Sequence, residues 1–190
     1  MYNFFFSCVA ICFIVSLLPR KNIVQKDAQF TRFGLFCTVL ADLFMVVLNR
    51  NTPAFIFFIL AQLTYTRRFS SFKITAVTAA CAVFIFLCAQ FAPLAQTRRL
   101  ALCYAACLCA AVCSSLVNHK KGKTRESLFA FLGMALFLLC DISVAVYNLA
   151  QNACLSNIFK YLIWVFYLPS QFFILISFKK TEQNKSFLRH

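Results

Sequence analysis

Asp42 and Asp141 are the only charged residues in two long apolar runs, GLFCTVLADLFMVVL and GMALFLLCDISVAVY, of a chain with just five acidic residues. A carboxylate at the centre of a bilayer costs about 2.5–3.5 kcal/mol on insertion scales, so such residues turn inward to a bundle and mark working sites. Both runs share one spacing, Gly34, Asp42, Asn49 and Gly133, Asp141, Asn148, with identical gaps. Two carboxyls in one low-dielectric cavity resist ionising together, so one can serve as a protonated general acid. The other then stabilises a cation or activates water. Titration of such a pair belongs to both members, which leaves the two roles unassigned.

Further polar residues fit the wall of such a cavity. Gln62 and Tyr65 lie three apart in one apolar run, and Tyr167 and Gln171 lie four apart in another, so each pair shares a helical face. Asn49 and Asn148 return to nearly the face of their aspartates two turns on. The substrate-binding candidates are therefore Gln62, Tyr65, Tyr167, Gln171, Asn49 and Asn148, around a catalytic pair of Asp42 and Asp141. Other chemistries find no residues. The only histidines are His119, in a basic segment, and the terminal His190, so a Ser-His-Asp arrangement within the apolar runs is excluded. Cys103, Cys107, Cys109 and Cys113 share one run, but the 103/107 and 109/113 pairs point to different sides of a helix. They make a poor four-thiolate site, and no metal or cofactor is expected.

The elements that must position these residues are membrane helices. The hydrophobic fraction is 62%, and Phe alone supplies 25 residues, against roughly 45–50% apolar content in soluble domains. Seven apolar segments can be drawn, at about 4–18, 31–48, 53–69, 74–92, 99–117, 128–148 and 157–178. The expected fold is all-α, a polytopic membrane helix bundle of about seven spans. One bundle over 1–180 precedes a basic tail over 181–190. The first run lacks a basic segment before it and is expected to be a retained span. Pro169, inside the last segment, should kink it and free the carbonyl of Val165.

Charge fixes an orientation. Of nineteen Lys and Arg residues, fifteen fall in the first, third and fifth connections and the tail, leaving four (Arg50, Arg98, Arg99, Lys160) for the rest. Positive-inside bias then puts the N-terminus outside and the C-terminus in the cytosol. The net charge of +14 thus belongs to membrane topology. Nucleic acid, which needs a basic face on a folded exterior, is not an expected partner. Asp42 and Asp141 then enter from the cytosol at similar depth, about 16 and 20 Å at ~1.5 Å per residue. Segments two and three read as a weak parallel repeat of six and seven.

At these residues the chain resembles the YhhN-like lysoplasmalogenase family of integral membrane proteins. GLFCTVLADLFMVVL followed by FIFFILAQLTYTRRF is similar to the family's Gly-Asp helix and the His/Gln-x-x-Tyr helix after it. GMALFLLCDISVAVY followed by YLIWVFYLPSQFFILIS is similar to its Ser-Asp helix and closing Tyr-x-x-x-Gln helix. Ala41 stands where the family usually has Gly, Cys140 where Ser is common and Gln62 where many members have His. Seven segments replace the usual eight, and the Lys-Pro near the second is missing. The resemblance implies hydrolysis of the vinyl-ether bond of a lysoplasmalogen to a fatty aldehyde and a glycerophospho head group. It also implies a lysophospholipid as partner within the bilayer and a bacterial plasma membrane as location. Arg67 and Arg68 are candidates to meet the phosphate at the cytosolic interface. The competing reading from the same residues is a small proton- or cation-coupled transporter or lipid-binding protein without hydrolase activity. Oligomeric state is not legible.

Overall fold

The computed structural model describes residues 2–19 and 23–179; the basic tail expected over 181–190 lies outside them. Seven helices follow one another: α1 (Tyr2–Leu17), α2 (Gln25–Asp42), α3 (Asn51–Phe69), α4 (Phe72–Ala89), α5 (Gln96–Gly122), α6 (Arg125–Leu149) and α7 (Ala153–Ile176). A π-helical turn, Leu43–Val47, prolongs α2. Among the described residues no strand is formed. Each expected apolar segment lies within or close to one helix, and some of these helices are capped by side chains. Thr124 and Ser127 form a reciprocal capping box at the start of α6, and the Asn152 side chain accepts the Cys154 N–H at the start of α7. α5 ends where Lys123 turns left-handed, at φ 48°.

Five helical segments are long and apolar enough to cross a membrane: Gln25–Val47, Phe72–Ala89, Gln96–Gly122, Arg125–Leu149 and Ala153–Ile176. α3 stands apart because Gln62, the threonines around it, Arg67 and Arg68 dilute its hydropathy, and several of these are buried inside the bundle. The outer faces are apolar. Phe84 is 67% and Val77 62% exposed on α4, an arrangement that suits lipid and not water.

Packing makes a ring. α2 packs on α3, α3 on α5, α5 on α6 and α6 on α7, and α7 touches α2 to close the circuit. α1 covers the seam between α2 and α7, while α4 sits outside against α5 and α3. The glycines of the two matching runs make the closest approaches. A Cβ on Gly34 would stand 2.5 Å from the ring of Tyr65 on α3. One on Gly133 would stand 3.0 Å from the backbone carbonyl of Ser170 on α7. Small residues of this kind let membrane helices approach closely. α7 remains helical through Pro169.

At the end holding the start of α2 and the ends of α3 and α7, one buried ion pair ties three helices. The Arg68 guanidinium meets the Asp27 carboxylate through Nε at 3.0 Å and Nη2 at 2.9 Å. It also donates to the hydroxyl and carbonyl of Ser177, and Asp27 accepts the Lys179 N–H.

Candidate functional site

The opposite end of the ring is hollow. A cavity of about 730 Å³ is lined by the last turns of α2 and α6 and the first turns of α3, α5 and α7. That volume falls within the range of roughly 300–1,000 Å³ usual for small-molecule sites. Both Asp42 and Asp141 line it, although α2 and α6 do not touch and stand across the ring from one another. Asp42 is buried, and Asp141 is partly exposed to the cavity.

Each carboxyl accepts a hydrogen bond from a tyrosine on a third helix. The Tyr167 hydroxyl of α7 donates to Asp42 Oδ2, and the Tyr104 hydroxyl of α5 donates to Asp141 Oδ2. The two tyrosines are joined by a run of rings. Tyr104 lies 5.4 Å from Phe58 between centroids, Phe58 lies 6.3 Å from Phe137, and Phe137 meets Tyr167 edge-on at 5.6 Å. These contacts fix where both hydroxyls point. The arrangement is two carboxyls, each held at one oxygen by a tyrosine donor and each lining a largely apolar chamber. Such a pair can give and take protons, and the aromatic walls can house an alkyl chain. Among the described residues no group of His, Cys, Asp and Glu is arranged to hold a metal.

Of the expected site residues, Asp42, Asp141, Tyr167, Asn49 and Asn148 line the cavity together. Asn148 sits on α6 near the rim and donates to the Val144 carbonyl. Asn49 reaches the rim by another route than the expected two helical turns. The π-turn spends an extra residue, closing with Leu48 N–H to Leu43 C=O at 3.0 Å, and Asn49 follows in a left-handed conformation at φ 52°. Gln62, Tyr65 and Gln171 are fully buried and none lines the cavity. The packing of Gly34 on Tyr65 explains it. Asp42, eight residues along, lies about 12 Å nearer the hollow end than that contact, level with Phe58 and some 7 Å beyond Gln62 at ~1.5 Å per residue. Both polar ends of the Gln62 amide, the Tyr65 hydroxyl and Gln171 Oε1 find no hydrogen-bond partner among the described residues.

Arg67 and Arg68 also depart from expectation. Arg68 is consumed by Asp27 and Ser177, and Arg67 lies over the rings of Phe30 and Phe72. Both are at the end remote from the cavity.

The family model described as YhhN family matches residues 2–178. The chain belongs to the YhhN family. No curated protein and no solved structure matches it. Within this YhhN chain, three contributors escaped the sequence reading. Tyr104 lies in the cysteine-rich helix, where the thiols drew attention; Cys103 and Cys107 prove to be buried, with Cys103 Sγ donating to the Ala82 carbonyl on α4, while Cys109 and Cys113 are exposed. Trp164, the single tryptophan, lines the chamber one turn from Tyr167. Lys160, counted with the connections by charge although it falls inside the 157–178 segment, stands two turns inside α7 on the cavity wall. Its apolar neighbours Ile163 and Trp164 were the available signal, since they continue the helix around it.

Proposed function

We propose that this YhhN protein is a lysoplasmalogenase-like hydrolase of the membrane, with Asp42 and Asp141 as its acid–base pair. The observation that carries the reading is the convergence of both carboxyls, from helices that do not touch, on one apolar chamber, each held by a tyrosine. One carboxylic acid protonates the β-carbon of the vinyl ether, and the ether oxygen shares the positive charge as an oxocarbenium ion. The other, ionised, holds that cation and takes a proton from the attacking water. The hemiacetal then gives its hydroxyl proton to the carboxylate that began as the acid, the glycerol oxygen takes the proton the base removed from water, the C–O bond to glycerol breaks, and a fatty aldehyde and a glycerophospho alcohol leave. Aromatic walls accommodate the alkyl chain and keep bulk water from the cation.

In this reading the chain crosses the membrane about seven times, with the N-terminus outside and the cavity opening away from the cytosol. It acts as one bundle, in the plasma membrane of a bacterium, on a lysophospholipid. The charge asymmetry of the connections supports the orientation.

The test is aldehyde release from a lysoplasmalogen by purified protein in detergent, beside Asp42→Asn and Asp141→Asn. Each substitution should lower kcat by about 10²- to 10⁴-fold, the usual worth of a positioned acid or base, with thermal unfolding little changed. A wild type that releases no aldehyde would end the hydrolase reading. A second reading, proton- or cation-coupled transport, draws on buried Gln62, Tyr65 and Gln171, which continue polar groups beyond the cavity, with the Gln62 amide and Gln171 Oε1 lacking partners among the described residues. It predicts uptake dependent on a gradient and no aldehyde.

A further inference from the structure

Among the described residues, the cavity that holds the carboxyls has one cation on its wall. Lys160 is half-buried there, and Asp42 and Asp141 are the only other charged side chains lining the chamber. Among the described residues it forms no salt bridge; the pair that does form, Arg68 with Asp27, is at the other end of the molecule. Around it the rim is polar, with Asn49, Asn148 and Tyr147. Phe58, Phe137 and Trp164 also line the chamber, beside the two carboxyls and their tyrosines.

Spacing along α7 relates this cation to the carboxyls. Tyr167, which donates to Asp42, lies seven residues from Lys160 and so on nearly the same face. The axial separation is about 10 Å at ~1.5 Å per residue. On α6, Asn148 stands the same distance outward of Asp141. An enol-ether lysophospholipid has seven bonds between its protonated carbon and its phosphorus, or about 8 Å at the ~1.2 Å per bond of an extended chain. With the reacting carbon between the carboxyls, the phosphate therefore reaches the level of Lys160. A lysine ammonium on its flexible stem is a point-charge phosphate binder and tolerates the remaining slack.

We propose that Lys160 is the head-group site of the cavity, binding the phosphate of a single-chain phospholipid at the rim while the alkyl chain lies among the aromatic rings. The assignment rests on the hydrolase reading for the identity of the deep end, but its binding claim stands apart from the chemistry. It makes Lys160 a specificity-determining residue that separates lysophospholipids from neutral glycerol ethers, and it places head-group recognition at the end opposite Arg67 and Arg68.

Trp164 supplies the probe, being the chain's single tryptophan and part of the same wall. Its fluorescence would be titrated in non-ionic detergent with an uncleavable alkyl-ether lysophosphocholine and with the alkylglycerol of equal chain length. Wild type, Lys160→Met and Lys160→Arg would be compared, with inorganic phosphate as a third ligand. In Lys160→Met the Kd for the lysophosphocholine should rise about tenfold, the worth of one charge-assisted contact, and the alkylglycerol Kd should not move. Lys160→Arg should stay close to wild type. Unchanged affinity in Lys160→Met, or equal weakening of both lipids, would overturn the assignment and leave Lys160 an interfacial anchor. Inorganic phosphate binding as tightly as the lipid would overturn it too, in favour of a free-anion site. If binding behaves as expected while wild type releases no aldehyde, the head-group site stands and the hydrolase reading falls. Aldehyde release by a Lys160→Met variant with wild-type KM for lysoplasmalogen would sink Lys160 alone.

Discussion

Asp42 and Asp141 are useful only if something fixes which oxygen of each faces the chamber, and Tyr167 and Tyr104 supply that. Each hydroxyl occupies one carboxyl oxygen and leaves the other for substrate or water. Tyr104→Phe and Tyr167→Phe keep the ring contacts with Phe58 and Phe137 and remove the donor alone. Each should lower kcat for aldehyde release by about 10- to 100-fold, below the loss at the aspartates because the tyrosines only orient, with KM nearly unchanged. The double variant should lose less than the product of the two, since both donors act on one shared proton inventory. An unchanged kcat in either single variant would remove that tyrosine from the machinery. Tyr167 was legible in the sequence by its spacing in an aspartate-following helix. Tyr104 was not, because it belongs to a helix whose facing toward α6 is decided by packing between elements remote in the chain.

At the scale of elements, the matching Gly-Asp-Asn runs turn out to be packing instructions as much as chemical ones. Gly34 admits Tyr65 and Gly133 admits the backbone of Ser170, so each aspartate-bearing helix is seated on the helix that follows it. Helix positions were legible because apolar length and flanking charge are local properties. Depth between neighbours was not, because it depends on these glycine contacts, and that is why Gln62, Tyr65 and Gln171 sit below the chamber. Also hidden was the Asp27–Arg68 pair, whose members are 41 residues apart and carry no local signal of their contact. Its partners Ser177 and Lys179 close the remote end of α2, α3 and α7. Removing one member of a buried pair strands the other, at about 3–5 kcal/mol. Asp27→Asn and Arg68→Met should each lower the thermal unfolding midpoint in detergent substantially, and the double variant should recover part of the loss. Additive losses, or none, would show that the pair carries no coupling.

The whole molecule is a ring closed at one end by that ion pair and hollow at the other, and the proposed orientation sets which end faces which side. Among the described residues, Arg50, Arg98, Arg99 and Lys160 are the basic residues at the hollow end, whereas Arg32, Arg67, Arg68, Lys120 and Lys121 crowd the closed one. In the proposed orientation, which positive-inside bias supports, the cavity faces away from the cytosol, and a lysophospholipid would enter from the outer leaflet with its head group at Lys160. Cys154 reports this directly. It is exposed at the start of α7, beside the cavity rim. Of the other exposed cysteines, Cys81, Cys88 and Cys113 lie within apolar helices whose outward faces suit lipid, while Cys109 lines the cavity and is replaced beforehand by serine. A membrane-impermeant maleimide added to intact cells should label the Cys109→Ser protein, and adding Cys154→Ser should remove that label. If labelling of Cys154 instead requires broken cells, the bundle is inverted. Substrate would then arrive from the cytosolic leaflet, and the basic closed end would face outward against the charge rule.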